Sequence, residues 1–483
     1  MNESNYVHNT SFWEIYSRLD DNEALDFIGF AGSGIFGTNK QVKKLAALCY
    51  ELKQSGEKAT KMSVYQQAFQ KKLYHRQMMN NYLSDLKQLL TSYIQLNWIH
   101  QKTAVQHYVL SEAYLKMGLL EQFENESAKN QSGNELISAD TLYYRIKNKQ
   151  LVDEYQATQI KKRRYDLLEP VIDDFTTYFL LEKVRMYCEL VNRKNLRNQD
   201  FDQLKMEQFL HFYFNEKNPE TTNLLLALYY SVLTFLRFPN DETAYGIYKQ
   251  KLQAGISMVH PQTARELCLY GQNQCIRHIN KNNAFYLKEL FDLYNLMLEN
   301  NILYEGAYMT QYTFKNYVTV ALRLKAFDEA EQFVVNYQNR LHPAQQFNAY
   351  HYNLAAVYFE ENQYADAMKM LNAIQITDPV YYLDSRCILL KIYYHENDFE
   401  ALASLYDSVR VYLLRLKQMP KKQADLYKYL FLHTYKLSRI KLRSRVEPIS
   451  VLQPELQKLM QKIDATDIAN KGWLQSIAAA LVS

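Results

Sequence analysis

Glycine and proline are scarce in this chain: 12 and 9 of 483 residues. Ordinary proteins use roughly 7% and 5%. Sheet-rich folds need many tight turns, so the shortage argues against them and for helices joined by short loops. Cysteine is also sparse. Five residues (Cys49, Cys188, Cys268, Cys275, Cys387), odd in number and scattered, do not form a disulfide framework and point to a reducing compartment. The opening MNESNYVHNTSFWE lacks the basic and apolar regions of a secretory signal. The most apolar run, LLLALYYSVLTFL (Leu224 to Leu236), is 13 residues, too short to span a bilayer. The expected location is the cytoplasm.

What is abundant is apolar and aromatic. Hydrophobic residues make up 48% of the chain, enough for a core, and 41 of them are tyrosines. Tyrosine pairs a large apolar ring with a hydroxyl that tolerates a wet edge, which suits seams between stacked helices. The net charge of +4 implies no particular partner, but its distribution is uneven. Between Arg410 and Arg445 stand eleven Lys/Arg and one acid, Asp425; elsewhere 45 basic residues face 51 acidic ones.

Helical periodicity dominates. In the stretch Tyr74 to Ile94, Met79, Tyr82, Leu83, Leu86, Leu90, Tyr93 and Ile94 recur at three- and four-residue steps, marking one buried stripe. From Tyr350 the chain reads YHYNLAAVYFEENQYADAMKMLNAIQITDP, with Leu354, Ala355, Tyr358, Tyr364, Ala367, Leu371, Ile374 and Pro379 at fixed spacing. This resembles the tetratricopeptide repeat, a helix–turn–helix unit of about 34 residues, with His351 at the usual tryptophan and Ala355 at the usual glycine. Small Ala355 and Ala367 let the paired helices approach, and Pro379 is expected to stop the second helix. A second copy lies 37 residues back (Asn316, Phe327, Ala330 matching Asn353, Tyr364, Ala367). A third lies 35 forward (Tyr393, Phe399), with Leu402 in place of the small alanine. Helix pairs upstream share the shape without the signature.

The order of segments in roughly the first 100 residues, including Asn81–Leu86 after a lysine/tyrosine turn, is similar to the opening of an uncharacterised bacterial family of tetratricopeptide-like proteins. That likeness implies no activity. The expected fold is all-α: stacked helical hairpins, a tetratricopeptide-like α-solenoid, with an N-terminal helical region. The expected divisions are 1–130 (N-terminal helices), 135–305 (hairpins), 306–417 (repeats) and 418–483 (C-terminal helices with a basic face).

Several motifs bear on chemistry. Gly32 to Gly37 read GSGIFG, the G-x-G-x-x-G of dinucleotide-binding loops. Such a loop needs a β-strand before it, whereas EALDFIGF continues a helical pattern, so the glycines are expected to relieve a helix–helix connection, with Thr38 or Asn39 capping the next helix. Cys268, Cys275 and His278 share a helix face but lack the paired spacing of zinc ligands, and core packing is favoured. No catalytic motif appears, and no cofactor or metal is expected. The cluster Lys161–Arg164 reads as a solvated helix face balanced by nearby acids.

Two partner readings remain. In the tetratricopeptide family, first-helix side chains line a groove that takes peptides. The equivalent positions here are Tyr312, Lys315, Asn316, Tyr352, Asn353, Lys391 and Tyr394, of which Lys315, Asn353 and Lys391 are candidates to hold a carboxylate. The resemblance thus implies a non-enzymatic scaffold or adaptor for another protein. The runner-up is nucleic-acid association through Lys421, Lys422, Lys441 and Arg443, with Tyr412, Tyr427, Tyr429 and Tyr435 to stack on bases. An enzyme whose site is assembled only in space comes third.

Overall fold

The computed structural model describes residues 5–33, 40–69, 73–131, 136–157, 168–197, 203–214, 223–306, 308–375, 378–416 and 419–481. The fold is all-α, built of stacked helices. Among the described residues the one paired sheet is a two-stranded ribbon, Tyr304–Glu305 with Tyr308–Met309, turning through Gly306 at φ +67°. No described helix is long and apolar enough to cross a membrane. The chain forms two compact units, Met1–Glu182 and Lys183–Ser483.

The first unit opens with α1 (Ser11–Tyr16), α2 (Asp21–Ala31), α3 (Lys40–Ser55), α4 (Lys61–Ala68) and α5 (Arg76–His100). Phe12, Tyr16, Phe27, Leu45, Val64, Leu86 and Leu90 form their shared core, with α1, α2 and α3 packed along α5. The stripe expected on α5 faces that core: Met79, Leu83, Leu86, Leu90 and Tyr93 are buried, Tyr82 and Ile94 half-buried. Asp20 caps α2 in a capping box with Glu23. A helix therefore precedes GSGIFG where a dinucleotide loop needs a strand, and another follows it. Residues 34–39, with Thr38 and Asn39, lie outside the described residues, as does Lys161–Arg164. α6 (Thr103–Met117), α7 (Leu120–Gln131) and α8 (Ala139–Ala157) then pack on one another. α9 (Leu168–Arg197) contains the division between units.

After α10 (Gln203–Phe214), the second unit is a succession of helical hairpins. They are α11/α12 (Leu224–Arg237, Glu242–Gly255), α13/α14 (Pro261–Ile279, Phe285–Glu299) and α15/α16 (Gln311–Arg323, Phe327–Tyr337). α17/α18 (Pro343–Glu360, Tyr364–Ala373) and α19/α20 (Pro379–Glu396, Phe399–Arg415) follow. α21 (Lys421–Arg443), α22 (Ile449–Ala465) and α23 (Lys471–Ala479) close the unit. From α15 onward the first helices pack on one another: α15 on α17, α17 on α19, α19 on α21. Ala355 and Ala367 are both fully buried between α17 and α18, as their size requires, and Leu402 fills the equivalent place in the next hairpin.

The turns explain how the chain manages with so little glycine. Asn282, Asn301, Lys325, Asn362 and Asn397 all sit in the left-handed region, at φ 57–64°. In four of them the paired carbonyl bonds of a Schellman motif close the helix, as where Ala326 N donates to Ala321 O at 2.9 Å and Lys325 N to Leu322 O at 3.0 Å. Asparagine is the non-glycine residue best suited to this conformation. Proline works at the opposite helix end. Pro379 was expected to stop α18, but α18 ends earlier, at Ala373, and Pro379 is instead the first residue of α19, behind an Asp378 cap. Its fixed φ and missing N–H cost nothing there. Pro261 and Pro343 start α13 and α17 in the same way, each behind a histidine cap.

Candidate functional site

The first helices α15, α17, α19 and α21 carry the residues expected to meet a partner, and the structure sorts them into locked and open ones. Lys315 forms an ion pair with Asp384, and its ammonium lies 5.1 Å from the Tyr352 ring centre and 5.7 Å from that of Tyr381. The second oxygen of Asp384 accepts from the Tyr427 hydroxyl at 2.8 Å. One turn away, Gln311 donates to Asp378 at 3.1 Å while Tyr381 donates to the Gln311 carbonyl at 2.8 Å. These bonds fasten α15 and α21 to α19 across the ring of Tyr352. Lys315 is thereby neutralised. Asn353 is 1% exposed, with its amide donating to the Ala349 carbonyl, so burial closes it to a partner's carboxylate, and the charge of Lys315 is already offset by Asp384. Tyr352 is likewise packed inside. Tyr312, 50% exposed, and Asn316 remain on the open side of α15.

Lys391 has a different setting. It is half-buried, with its ammonium 5.8 Å from the Phe359 ring centre and 5.6 Å from that of Trp473. Its polar partner is Asn470 Oδ1 at 3.1 Å, presented by a turn in which Asn470 takes a left-handed φ of 52°. Tyr394 is buried edge-on against Trp473, and Lys441 lies 4.5 Å from the Tyr394 ring centre, donating to the Tyr394 carbonyl at 3.4 Å. His395 stacks on Tyr364 at 5.9 Å. Among the described residues no acid lies within ion-pair distance of Lys391 or Lys441. Burial lowers the pKa of both lysines and of His395, and Lys441 lowers that of His395 further. Lys391 and Lys441 thus lie against the Tyr394–Trp473 pair without an acid in direct contact, while Glu360 and Asp384 act on Lys391 from farther away.

The basic stretch is less uniform in space than in sequence. Lys421 and Lys422 are exposed at the start of α21. Arg443 is held by Glu447 and Glu455, each at 2.8 Å, and Lys441 is turned onto Tyr394. Lys428 lies by Asp425 and Arg410 by Asp407. The tyrosines are engaged within the protein: Tyr427 on Asp384, Tyr412 against Tyr382 at 4.5 Å, Tyr429 beside His433, and Tyr435 stacked on Tyr406 at 4.7 Å and 4°.

The other candidates are parts of the core. Cys268 and Cys275 are fully buried, with thiol pKa values pushed up to about 12 by burial, and Cys275 contacts the Tyr245 hydroxyl at 3.0 Å. His278 lies on Tyr286 at 4.2 Å and bonds the Pro239 carbonyl at 2.7 Å. No group of three or more metal-ligating side chains occurs among the described residues. The first unit also has a cleft of about 620 Å³ between α1, α2 and α5, where Glu14, Arg18, Glu23 and Lys87 surround an exposed Trp98.

Sequence reading missed Asp384 and Trp473. Asp384 precedes Lys391 by two helical turns, but the lysine it pairs with, Lys315, lies on another helix, and no local spacing marks that pairing. Trp473 comes from the last helix, and nothing local marks it. Compared with known proteins, the chain matches no family model, no curated protein and no solved structure.

Proposed function

We propose that this protein is a non-enzymatic, tetratricopeptide-like scaffold or adaptor, working in the cytoplasm, that binds a segment of another protein along the first helices of its hairpin stack. The observation that carries this reading is Lys391, an ammonium held between two rings with no acid partner. A half-buried charge left in that state is unfavourable until an anion reaches it. The Lys315–Asp384–Tyr427 lock supports the same reading, because a face already fixed loses little conformational entropy on binding. Tyr312 and Asn316 supply an aromatic and an amide on the open side.

Affinity capture with the full chain tests this directly. A discrete protein partner should be recovered by the wild type and lost with Tyr312→Ala combined with Lys391→Ala. Equal recovery by both proteins would remove the first-helix face from the account. Nucleic-acid association stays second, on Lys421 and Lys422, which are both exposed. It requires binding that weakens steeply with salt and with neutralisation of those two lysines.

A further inference from the structure

We infer that the cleft between α1, α2 and α5, lined by Tyr93, Glu23 and Trp98, is a site for an arginine side chain borne by an extended segment of a partner protein. The inference does not rest on the hairpin face, and the cleft lies wholly in the first unit. Tyr93 supplies the first observation. It is only 8% exposed, with its ring against Phe27 at 5.8 Å and Phe30 at 5.6 Å. Solvent nevertheless reaches its hydroxyl, which makes no hydrogen bond among the described residues. A tyrosine this deeply set ordinarily finds a partner for that group. One turn on, Asn97 donates a long bond of 3.4 Å to Glu23 Oε1, while Glu23 Oε2 accepts from Asp20 N at 3.0 Å. Each carboxylate oxygen accepts twice, so Glu23 has room for further donors.

Charge sets the sign of the ligand. Burial, then Asp26, Glu23 and Asp20, push the pKa of Tyr93 up to about 12, so the charges acting on that hydroxyl are negative. Asp21 pairs with Lys53, whereas Asp20, Glu23 and Asp26 make no ion pair among the described residues. Arg18 and Lys87 also line the cleft, but both are exposed, where solvent screens them. Trp98 favours a guanidinium over an ammonium. The indole is 58% exposed, and Lys102, paired with Asp140, lies 5.2 Å from its centre, leaving the rest of the ring to a ligand. A guanidinium is planar: it lies flat on an indole and forks onto a carboxylate, which an ammonium does not do. Length favours a segment over a free amino acid. The lining runs along α5 from Lys87 to Gln101, about 21 Å of helix. About six residues of extended chain cover that distance.

The full-length protein is titrated with Nα-acetyl-arginine amide, its citrulline and lysine analogues, free arginine, and a hexapeptide with one central arginine. Tryptophan emission is the readout. The expected result is a saturable change with capped arginine that disappears in Trp98→Phe. The citrulline analogue, of the same shape without the charge, should bind about tenfold more weakly, and the lysine analogue about threefold. Glu23→Gln keeps an acceptor for Asp20 N and should weaken capped arginine about tenfold, the loss of one charge-assisted bond. Tyr93→Phe keeps the ring in the core and should weaken it about fivefold. Asp26 is exposed, so Asp26→Asn leaves the packing alone; it should weaken binding about twofold through the field. The hexapeptide should bind more tightly than either arginine probe.

Citrulline equal to arginine, lysine equal to arginine, an emission change that persists in Trp98→Phe, or three variants indistinguishable from the parent would overturn the site. Free arginine binding more tightly than the hexapeptide would overturn the assignment to a partner segment, in favour of a small guanidino compound.

Discussion

Asp384 accepts from both Lys315 and Tyr427, so removing it leaves an ammonium and a hydroxyl stranded in a largely closed seam. Asp384→Ala is expected to destabilise the protein by about 2–3 kcal/mol, less than for a fully buried pair because some solvent contact remains. Asp384→Asn, which keeps an acceptor, should cost less; urea midpoints compare the two. The buried histidines make stability depend on pH. Burial holds the pKa of His278 and His433 below the ordinary 6.5. The unfolded chain therefore takes up protons more readily than the folded one. Their contribution to stability is full above 6.5 and is lost as pH falls below it. Thermal midpoints should drop between neutral pH and the folded-state pKa values, and His433→Gln should flatten that decline. A midpoint that rises on acidification would contradict the assignment.

At the scale of elements, the hairpin turns carry the clearest consequence. Lys325 occupies a left-handed position that asparagine fills in the sister turns. Lys325→Gly should therefore stabilise the protein by about 1 kcal/mol, and Asn362→Val should destabilise it by a similar or larger amount, both read from denaturation midpoints. At the α17–α18 contact Ala355 is sealed, and Ala355→Leu should cost about 1–3 kcal/mol through overpacking. These elements show what a sequence makes legible. Three- and four-residue periodicity reports which helix face is buried, so the α5 stripe and the helical hairpins from α15 to α20 are readable without coordinates. Small residues at fixed spacing report where helices touch. Helix ends are less readable, because the same proline that forbids continuation also favours a first turn. For Pro379 the two uses differ by the few residues between Ala373 and α19.

Across the whole molecule, the site residues were legible as a face but not as a state. Spacing places Lys315, Asn353 and Lys391 on first helices. Whether each is spent or open depends on residues from other helices: Asp384 for Lys315, Asn470 and Trp473 for Lys391. Such long-range pairings leave no periodic trace. The same holds for the basic stretch, where Glu447 and Glu455 offset Arg443 and Lys441 turns inward. In a stack where each hairpin touches mainly its neighbours, the packed seam supplies rigidity, and the side chains left open decide what binds.

Hydrogen exchange of the full chain, alone and with its captured partner, tests the scaffold account most directly. Slowed exchange should concentrate on the first helices α15, α17 and α19 and on the start of α23, and Lys391→Met should remove it. Slowing confined to the start of α21 near Lys421 and Lys422, or to the first unit, would contradict the account.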